Sequence, residues 1–417
     1  MTGSSQPAAD AHYGWTTVAV LAVTETVSWD VLYYAFAVFQ VPMQHELGWS
    51  KTELTGAFSL ALATSAQAAF PVGRWLDRHS PRLLMTLGSV AGALLVLAWS
   101  RVHDLLLSYL VWIGIGLSMA SVLYEPAFTV VTKWFRARRR QALTAVTLMG
   151  GFASFVFSPL SNRLIDAQGW RDALITLAII LAAATVPLHG LFLRRAPEQA
   201  KPATPALVAG DPPATFPERQ VAAAAAIGSS GFWYLTGAFV LSSFATSAVT
   251  VHLIPYLLEG GRSAGFAAVA AGLMGLMQVP GRLVFASAAR ALPRPYEAPA
   301  VFLLQGAGLA VLAATTGAPG VIAAVCLFGM GNGMATLVRA TAIADAFGSA
   351  FYGSIAGLAA ACATGARATA PVAAAGVYVA FDGYKTLLWL LVTGSVLAAL
   401  SAWQANQRLA TPGGALR

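Results

Sequence analysis

The sequence predicts an all-α membrane protein whose twelve transmembrane helices form two pseudo-symmetric six-helix bundles. Three observations lead to this prediction. First, 57% of the 417 residues are apolar and only 10% are charged, whereas a soluble domain carries roughly 25% charged residues. Second, the apolar residues gather in twelve segments, each close to the length of about 20 residues that a spanning helix needs. Third, short motifs of the first six segments recur in the last six.

Polar loops separate the twelve apolar segments, and an even number of spans places both termini on one side of the membrane. The first 13 residues contain neither Lys nor Arg. The apolar segment that follows is longer than the h-region of a signal peptide, so we expect it to remain as the first span. The predicted spans cover residues 14–38, 53–73, 83–100, 105–131, 142–165, 172–193, 231–257, 264–286, 298–316, 319–343, 352–379 and 385–404.

The positions of Lys and Arg predict the orientation of the chain. Of the 25 Lys and Arg residues, 16 lie on the side of the termini, 6 on the other side, counting Arg163 and Lys385 at the outer ends of their spans, and 3 deeper inside predicted spans. Because short cytoplasmic loops carry an excess of Lys and Arg, we expect both termini in the cytoplasm and a multi-pass protein of the cytoplasmic (inner) membrane. This clustering accounts for the formal charge of +8 without a soluble basic surface, which argues against nucleic acid as a partner.

One long connection divides the chain into two halves. Residues 194–230 are rich in Pro and Ala, which predicts a flexible cytoplasmic linker. It joins an N-terminal six-helix bundle, 1–193, to a C-terminal six-helix bundle, 231–417. The segment Gly114–Ala120 recurs with similar residues as Gly329–Ala335, 215 positions later. Such a recurrence indicates an internal duplication.

The segment Gly73–Arg82 is a charged interruption between the second and third spans. Each charge would cost roughly 2.5–3.5 kcal/mol at the centre of a bilayer, so the segment must be a loop at a membrane face. Twelve spans, a central linker and the pattern Gly-x-x-x-Asp-Arg together resemble the major facilitator superfamily. The resemblance implies transport by alternating access, in which this loop holds the two halves together on the cytoplasmic side.

The resemblance also implies a role for three residues of this loop. Gly73 would permit close approach of two helices, Asp77 would meet the N-terminus of a neighbouring helix, and Arg78 would pair with nearby acids. The second half carries Ala286 and Arg290 at the positions of the Gly and the Asp. We therefore expect only the first copy to act as a conformational latch.

Charged residues inside predicted spans are the candidates for function, because charge is costly in the membrane. The acids fall in the first half and the arginines in the second. A cavity between the halves would thus have an acidic and a basic wall if these side chains face it. The titratable candidates are Glu25, Asp30, Glu125, His252, Arg282, Arg339 and Arg367.

A guanidinium offers a planar fork of donors that suits a carboxylate. The layout resembles the oxalate–formate antiporter and monocarboxylate porter branches of the superfamily, in which a basic residue of the eighth helix and, in the former, one of the eleventh bind the anion. The resemblance implies substrate binding by Arg282 and Arg367. Gln278 lies four residues before Arg282 on the same helix face, where monocarboxylate porters typically carry an acid. We therefore expect no proton coupling through Gln278.

Further candidates for the substrate site are Arg339, Asn332 and Tyr124, each with a structural alternative. Arg339 aligns with Tyr124 in the duplication, next to Glu125. A structural or gating pair of Arg339 with Glu125 is therefore our preferred interpretation. Asn332, beside two glycines, is equally compatible with helix packing.

The acids Glu25, Asp30 and Glu125 are the available proton-coupling or gating groups, with ion pairing as the structural alternative. His252 is expected to be a polar packing residue. Tyr33 and Tyr34 are further candidates for cavity hydroxyls, although aromatic residues at such positions commonly only pack.

These observations favour a secondary active transporter of a small organic anion, a mono- or dicarboxylate, coupled to protons or to exchange. An alternative is proton-driven efflux of a cationic or amphipathic compound with the acids as counter-charges. Two features of multidrug–proton antiporters are missing: Leu110 replaces an Arg, and Ser158-Pro159 replaces a Gly-Pro pair.

An alternative of another class is a receptor or an enzyme that does not transport. The sequence contains no P-loop and no metal-ligand spacing, and its two cysteines, Cys326 and Cys362, lie in apolar segments. We therefore expect no enzyme activity, cofactor or metal. The expected partners are a small solute, protons and the lipid bilayer, and we expect a monomer.

Overall fold

The computed structural model describes residues 6–136, 138–197, 221–288 and 293–410. Nearly all of these residues are helical, and they cross from one face of the molecule to the other twelve times. Spans 1 to 6 are formed by Gln6–Trp29 with a π-helical turn at Asp30–Tyr34 and Ala35–Leu47 (span 1), Lys51–Arg78 (span 2), Pro81–Trp99 (span 3), Leu105–Val122 with Tyr124–Trp134 (span 4), Arg139–Gly151 with the first part of Ala153–Phe192 (span 5), and the remainder of that helix after Gly169 (span 6).

Spans 7 to 12 are formed by Ser230–Glu259 (span 7), Ala264–Leu276 with Gln278–Ala288 (span 8), Arg294–Ala314 (span 9), Ala318–Phe347 (span 10), Tyr352–Phe381 (span 11) and Tyr384–Ala410 (span 12). A short helix, Ala223–Gly228, precedes span 7. Residues 198–220 of the predicted linker lie outside the described residues.

The helices are long and apolar enough to cross a membrane. By length and hydropathy alone, eight helical stretches among the described residues qualify as membrane spans, and one of these, Arg139–Phe192, contains both span 5 and span 6. The chain reverses within it at Gly169, whose φ of +80° lies in the left-handed region that favours glycine. The predicted all-helical fold is confirmed.

Short polar loops explain where the helices stop and restart. Before span 2, the Ser50 hydroxyl accepts a hydrogen bond from Glu53 N, and the Glu53 carboxylate accepts one from Ser50 N at 2.8 Å. This reciprocal capping box satisfies two of the backbone N–H groups that a helix start leaves unpaired. Asp104 caps span 4 through Leu107 N at 2.9 Å. With this cap, span 2 runs from Lys51 to Arg78 and is longer than its predicted apolar segment, residues 53–73.

Four spans are interrupted near their middle. Span 1 contains the π-helical turn, span 4 breaks at Leu123, span 5 at Phe152 and span 8 at Met277. Irregular backbone at membrane depth is tolerated where protein covers it or where it lines a cavity. The interruptions therefore mark the interior of the molecule rather than its lipid-facing surface.

The hydrophobic core has three parts. One cluster is built from the first six spans and includes Trp99 and Trp112, and a second is built from the last six and includes Phe328. The third cluster contains residues of both halves, such as Val131 and Ile355. Two bundles thus have their own cores and share a packed interface.

The shared interface is tightest where span 2 meets span 11, beside the Gly73–Arg82 loop. We call the membrane side that carries this loop the motif side. A Cβ atom added to Gly73 would lie 1.9 Å from Gly353 O, so only glycine allows this approach. Asp77 accepts hydrogen bonds from Gly353 N at 2.9 Å and Ser354 N at 2.7 Å, in the first turn of span 11. The contacts expected of Gly73 and Asp77 are present.

Arg78 does not make the expected pair with an acid. Its side chain is exposed at the end of span 2, and no carboxylate of the described residues lies within ion-pair distance. Lys133 of span 4 takes that role instead, with Nζ at 3.2 Å from Asp77 Oδ1 and a hydrogen bond of 2.6 Å to Leu76 O. Arg290, at the Asp position of the second copy, lies outside the described residues.

Further ion pairs join the halves on the motif side. Arg139 lies 3.5 Å from Asp345, and Arg140 binds the Glu297 carboxylate. On the opposite side, the polar contacts of the described residues stay within one half, as where Arg171 donates to Glu46 at 2.8 Å. The two halves are therefore closed against each other on the motif side.

Candidate functional site

Arg282 lies at the interface of the two halves, in the helix that restarts span 8. Its side chain is 5% exposed, and Nη1 donates a hydrogen bond of 2.6 Å to Thr147 O of span 5. A Cβ atom at Gly151 would lie 2.2 Å from Nη1. Glycine at the break in span 5 therefore leaves the notch into which the guanidinium fits.

Tyr124 occupies the adjacent notch. Its hydroxyl donates to Thr147 O at 3.4 Å, and a Cβ atom at Gly150 would lie 2.6 Å from that hydroxyl. The sequence prediction identified Arg282 and Tyr124 but not the role of the glycine pair. The signal was present, because two consecutive glycines stand in the middle of an apolar segment.

Arg282 and Arg367 each have guanidinium N–H donors that find no acceptor among the described residues. Arg282 Nε is buried without an acceptor among the described residues. Arg367 is partly exposed, and its carbonyl accepts a bond of 2.7 Å from Ser247, but its guanidinium has no partner in the described part of the chain. Tyr34 lies within electrostatic range of both arginines. Because unpaired charge is costly in a medium of low dielectric constant, these cations are suited to an anionic ligand.

Arg339 and Glu125 form the predicted pair across the interface. Arg339 Nη2 lies 2.5 Å from Glu125 Oε1, and the side chains are 16% and 24% exposed. Glu125 lies in the first turn after the break in span 4, where the helix dipole favours an acid. In this conformation Arg339 is occupied by a protein carboxylate.

Glu25 and Asp30 do not form an exposed acidic wall. Both are buried within the first half, at 0% and 1% exposure, and their carboxylate oxygens have no hydrogen-bond partner among the residues described. Glu25 is within electrostatic range of Glu125 and beside Trp29. In this conformation these two side chains are therefore buried and do not line an open acidic wall.

The remaining predicted residues have structural partners within the second half. Asn332 Oδ1 accepts a hydrogen bond of 3.1 Å from Thr246, which ties span 10 to span 7. Gln278 packs through its backbone, since a Cβ atom at Gly333 would lie 2.2 Å from Gln278 O. The Gln278 side chain is partly exposed and makes no hydrogen bond within the described ranges. His252 lies 3.0 Å from Pro371 O, as a packing residue would.

Aromatic rings of the first half lie beside this site. Trp29 lies 5.2 Å from Tyr33 and 4.8 Å from Tyr124, measured between ring centroids. Phe58 of span 2 extends the group through a contact of 5.3 Å with Tyr33. The sequence prediction considered the tyrosines but missed Trp29 and Phe58, because an aromatic residue in an apolar segment carries no signal of its direction.

The fold and its charged interface define an all-helical membrane protein whose two halves meet along buried charged residues. The family model of the Major Facilitator Superfamily matches residues 20–371. The chain belongs to this superfamily, whose members are transporters and not enzymes, and it is an integral multi-pass membrane protein.

Curated relatives include transporters of animals and bacteria. Human Monocarboxylate transporter 11 is 30% identical over 292 residues, which are 67% of this chain and 57% of the relative. Bovine Monocarboxylate transporter 13 is 25% identical over 82% of this chain and 77% of its own length. The Probable L-galactonate transporter of Escherichia coli (strain K12) is 26% identical over 39% of this chain and 36% of its own length. The chain thus spans little more than half the length of the human relative.

Solved structures share the fold. The transporter FucP, crystallised in the outward conformation, matches with a TM-score of 0.69 over 95% of this chain and 99% of its own, at 16% identity. An N162A form of the E. coli fucose:proton symporter FucP matches with the same TM-score over 93% of this chain and 98% of that one, at 15% identity.

Proposed function

We propose that this protein is a secondary active transporter of a small carboxylate anion, with Arg282 and Arg367 as the anion-binding residues. The observation that carries the proposal is that Arg282, at the interface of the two halves, and Arg367 each have guanidinium donors without an acceptor among the described residues. A carboxylate matches the donor fork of Arg and would offset the cost of holding these charges in the membrane. Relatives named monocarboxylate and L-galactonate transporters support the same class of substrate.

The contacts between the halves support alternating access. The Asp77 bonds to span 11, the Arg282 bond to Thr147 and the Arg339–Glu125 pair all join the first half to the second. We propose that the motif side is cytoplasmic, in the inner membrane, so that the closed interface corresponds to an outward-facing state. Conversion to the inward-facing state would break these contacts and open the motif side.

Glu25 is our candidate for proton coupling. It is buried without a hydrogen-bond partner among the described residues and lies within electrostatic range of Glu125. Because Glu125 is paired with Arg339 across the interface, separation of that pair would change the field at Glu25. Such a link would allow proton binding to follow the conformational cycle. Anion exchange without a proton remains the second mode of coupling.

Efflux of a cation is less well supported by the geometry. Of the three acids that would hold a cation, Glu125 is already paired with Arg339, while Glu25 and Asp30 are buried inside the first bundle. The groups of the proposed site that have hydrogen-bond donors without an acceptor among the described residues are the guanidinium groups of Arg282 and Arg367.

We also propose that one chain forms the complete site, so that the monomer transports.

Uptake into proteoliposomes tests the proposed function. Labelled lactate, pyruvate, oxalate and formate would be supplied to the parent protein and to the variants Arg282→Ala and Arg367→Ala. We expect uptake of at least one of these anions, reduced about tenfold or more in each variant. Arg101→Ala, which removes an exposed loop arginine, is the matched control and should transport normally. Undiminished uptake in both site variants would overturn the anion-binding assignment.

A further inference from the structure

The aromatic side chains beside the arginines form a continuous wall on the first half. We define the aromatic wall as Trp29, Tyr33 and Tyr34 of span 1, Phe58 of span 2 and Tyr124 of span 4. Trp29 contacts the three tyrosines at centroid distances of 5.2, 5.9 and 4.8 Å. Tyr33 contacts Tyr34 at 5.1 Å and Phe58 at 5.3 Å, both edge to face. Three spans thus contribute rings to one surface.

The wall is the open edge of a larger aromatic cluster. Behind it, Phe36 stacks on Phe58 at 4.6 Å, and Phe36 and Trp112 are 6% and 1% exposed. In contrast, Tyr33 and Phe58 are partly exposed, and Tyr34 is 36% exposed. The hydroxyls of Tyr33 and Tyr34 have no hydrogen-bond partner in the described ranges. Because Tyr33 and Tyr34 are partly exposed, these rings form an accessible edge of the cluster rather than part of its buried core.

The local backbone of span 1 brings the wall together. The π-helical turn begins at Asp30, directly after Trp29, and contains Tyr33 and Tyr34. Such turns are rare and occur frequently at functional sites. Residues four apart, such as Trp29 and Tyr33, are neighbours in any helix, whereas the i to i+5 bonding of the π-helical turn also brings Trp29 beside Tyr34, five residues later. The irregularity is therefore placed where the open rings are.

The wall and the arginines border the same space. Tyr34 lies within electrostatic range of both Arg282 and Arg367. Tyr124 and Arg282 share one acceptor, Thr147 O, at 3.4 and 2.6 Å. A ligand whose carboxylate contacts the arginines would hence have the rest of its body against the rings.

Resting on the proposed function, we infer that the transported anion is an aryl carboxylate, with its ring against the aromatic wall and its carboxylate on Arg282 and Arg367. Aromatic rings attract each other in edge-to-face and offset geometries beyond simple area burial. A two- or three-carbon acid would fill the cationic end and leave the rings uncovered. A carboxylate joined to a ring by a few bonds would occupy both.

The test compares two acids that differ only by a phenyl group. Uptake of labelled pyruvate and phenylpyruvate would be measured in proteoliposomes with the parent protein and with Tyr33→Leu and Phe58→Leu. We expect a KM for phenylpyruvate at least about tenfold below that for pyruvate. Each Leu variant should raise the phenylpyruvate KM several-fold and leave the pyruvate KM within about twofold.

Two control variants separate ring contact from folding. Tyr33→Phe keeps the ring and should retain the preference for phenylpyruvate. Phe381→Leu makes the same change as Phe58→Leu at a ring that is 61% exposed at the end of span 11, and it should transport both acids as the parent does. Loss of the preference in Phe381→Leu would show that the preference does not depend on the wall, and would overturn the inference.

The outcomes distinguish this inference from the proposed function. Transport of both acids with equal KM, or an unchanged preference in Tyr33→Leu and Phe58→Leu, would overturn the aryl carboxylate and leave anion transport standing. Transport of neither acid, nor of lactate, oxalate or formate, would overturn the proposed function and the inference with it.

Discussion

The substitution Gly73→Ala tests whether the contact between spans 2 and 11 holds the motif side closed. The added Cβ atom would lie 1.9 Å from Gly353 O, whereas ordinary contact begins at 3.4 Å. The opposing atom belongs to the backbone, so a rotamer change cannot relieve the clash. The two helices must separate by about 1.5 Å at this point.

The separation also reaches the charge contact one turn away. Asp77 accepts hydrogen bonds of 2.9 and 2.7 Å from Gly353 N and Ser354 N, and one of 2.6 Å from the Ser354 hydroxyl. A further 1.5 Å would take each beyond the limit of a hydrogen bond. One such bond to a charged group contributes about 1.5–3 kcal/mol. Loss of one would lower the ratio of closed to open molecules about 10- to 150-fold.

Distance measurement by pulsed electron-spin resonance can check this shift. Spin labels would be attached at Arg74→Cys and Phe351→Cys, which are exposed positions on spans 2 and just before span 11. The background would carry Cys326→Ser and Cys362→Ser, because both native cysteines are free. We expect one short distance in the parent and a longer one that dominates in Gly73→Ala.

A glycine of the partner helix supplies the control. Gly365→Ala places a methyl group on span 11 with nothing within 4 Å of it, so its distance distribution should match the parent. A Gly73→Ala distribution that is also unchanged would refute the reasoning, since it would mean that the helix contact does not set the closed state.

Three further predictions concern the interface and the buried acids. Gly151→Ala places a Cβ atom 2.2 Å from Arg282 Nη1 and so fills the notch that holds this side chain. Initial uptake should fall about tenfold while thermal stability is retained. Normal uptake would show that transport does not require Arg282 to occupy this notch. Glu125→Gln leaves Arg339 unpaired and should lower the unfolding temperature, whereas adding Arg339→Gln should restore part of the loss; strictly additive losses would argue against the pair. Glu25→Gln should abolish accumulation driven by a pH gradient while exchange persists, and continued accumulation would assign the proton to another group.

The helical architecture could be predicted because hydropathy and length act locally. Each apolar segment must cross the bilayer as a helix to satisfy its own backbone, and every predicted span corresponds to a helix in the structure. The contacts of Gly73 and Asp77 could be predicted because the pattern Gly-x-x-x-Asp-Arg resembles that of the superfamily, which implies these roles. The contacts of Arg78 could not be predicted. The cation that pairs with Asp77 is Lys133 of span 4, at 3.2 Å, and it is distant from this loop in the sequence.

The site was less predictable because a sequence indicates how deep a residue lies but not which way it points. The Arg339–Glu125 pair followed from the internal repeat, which supplies an approximate spatial relation between the halves. The sequence leaves open whether Glu25 and Asp30 face a cavity, and in the structure both are buried, at 0% and 1% exposure. The π-helical turn at Asp30–Tyr34 shifts the direction of the side chains that follow its first residue in span 1, such as Tyr33 and Tyr34, and the sequence carries no signal for such a turn.

The three arginines deep inside the spans differ in how strongly acceptor groups of the protein engage their guanidinium groups. Arg339 is paired with the Glu125 carboxylate, Arg282 has one backbone acceptor, Thr147 O, and the Arg367 guanidinium has no acceptor among the described residues. Under the proposed function, an incoming anion would meet least competition at Arg367, whereas at Arg282 it would compete with a contact that joins the halves.

If the proposed function is correct, this difference predicts different kinetic roles for Arg282 and Arg367. Arg367 would supply binding energy that is similar throughout the cycle, so Arg367→Ala should mainly raise KM. Arg282 would exchange its bond to Thr147 O for the anion as the halves separate, so Arg282→Ala should lower the maximal rate as well. Initial rates over a range of anion concentrations measure both effects. A pure KM effect in both variants would show that Arg282 binds the anion without linking it to the movement of the halves.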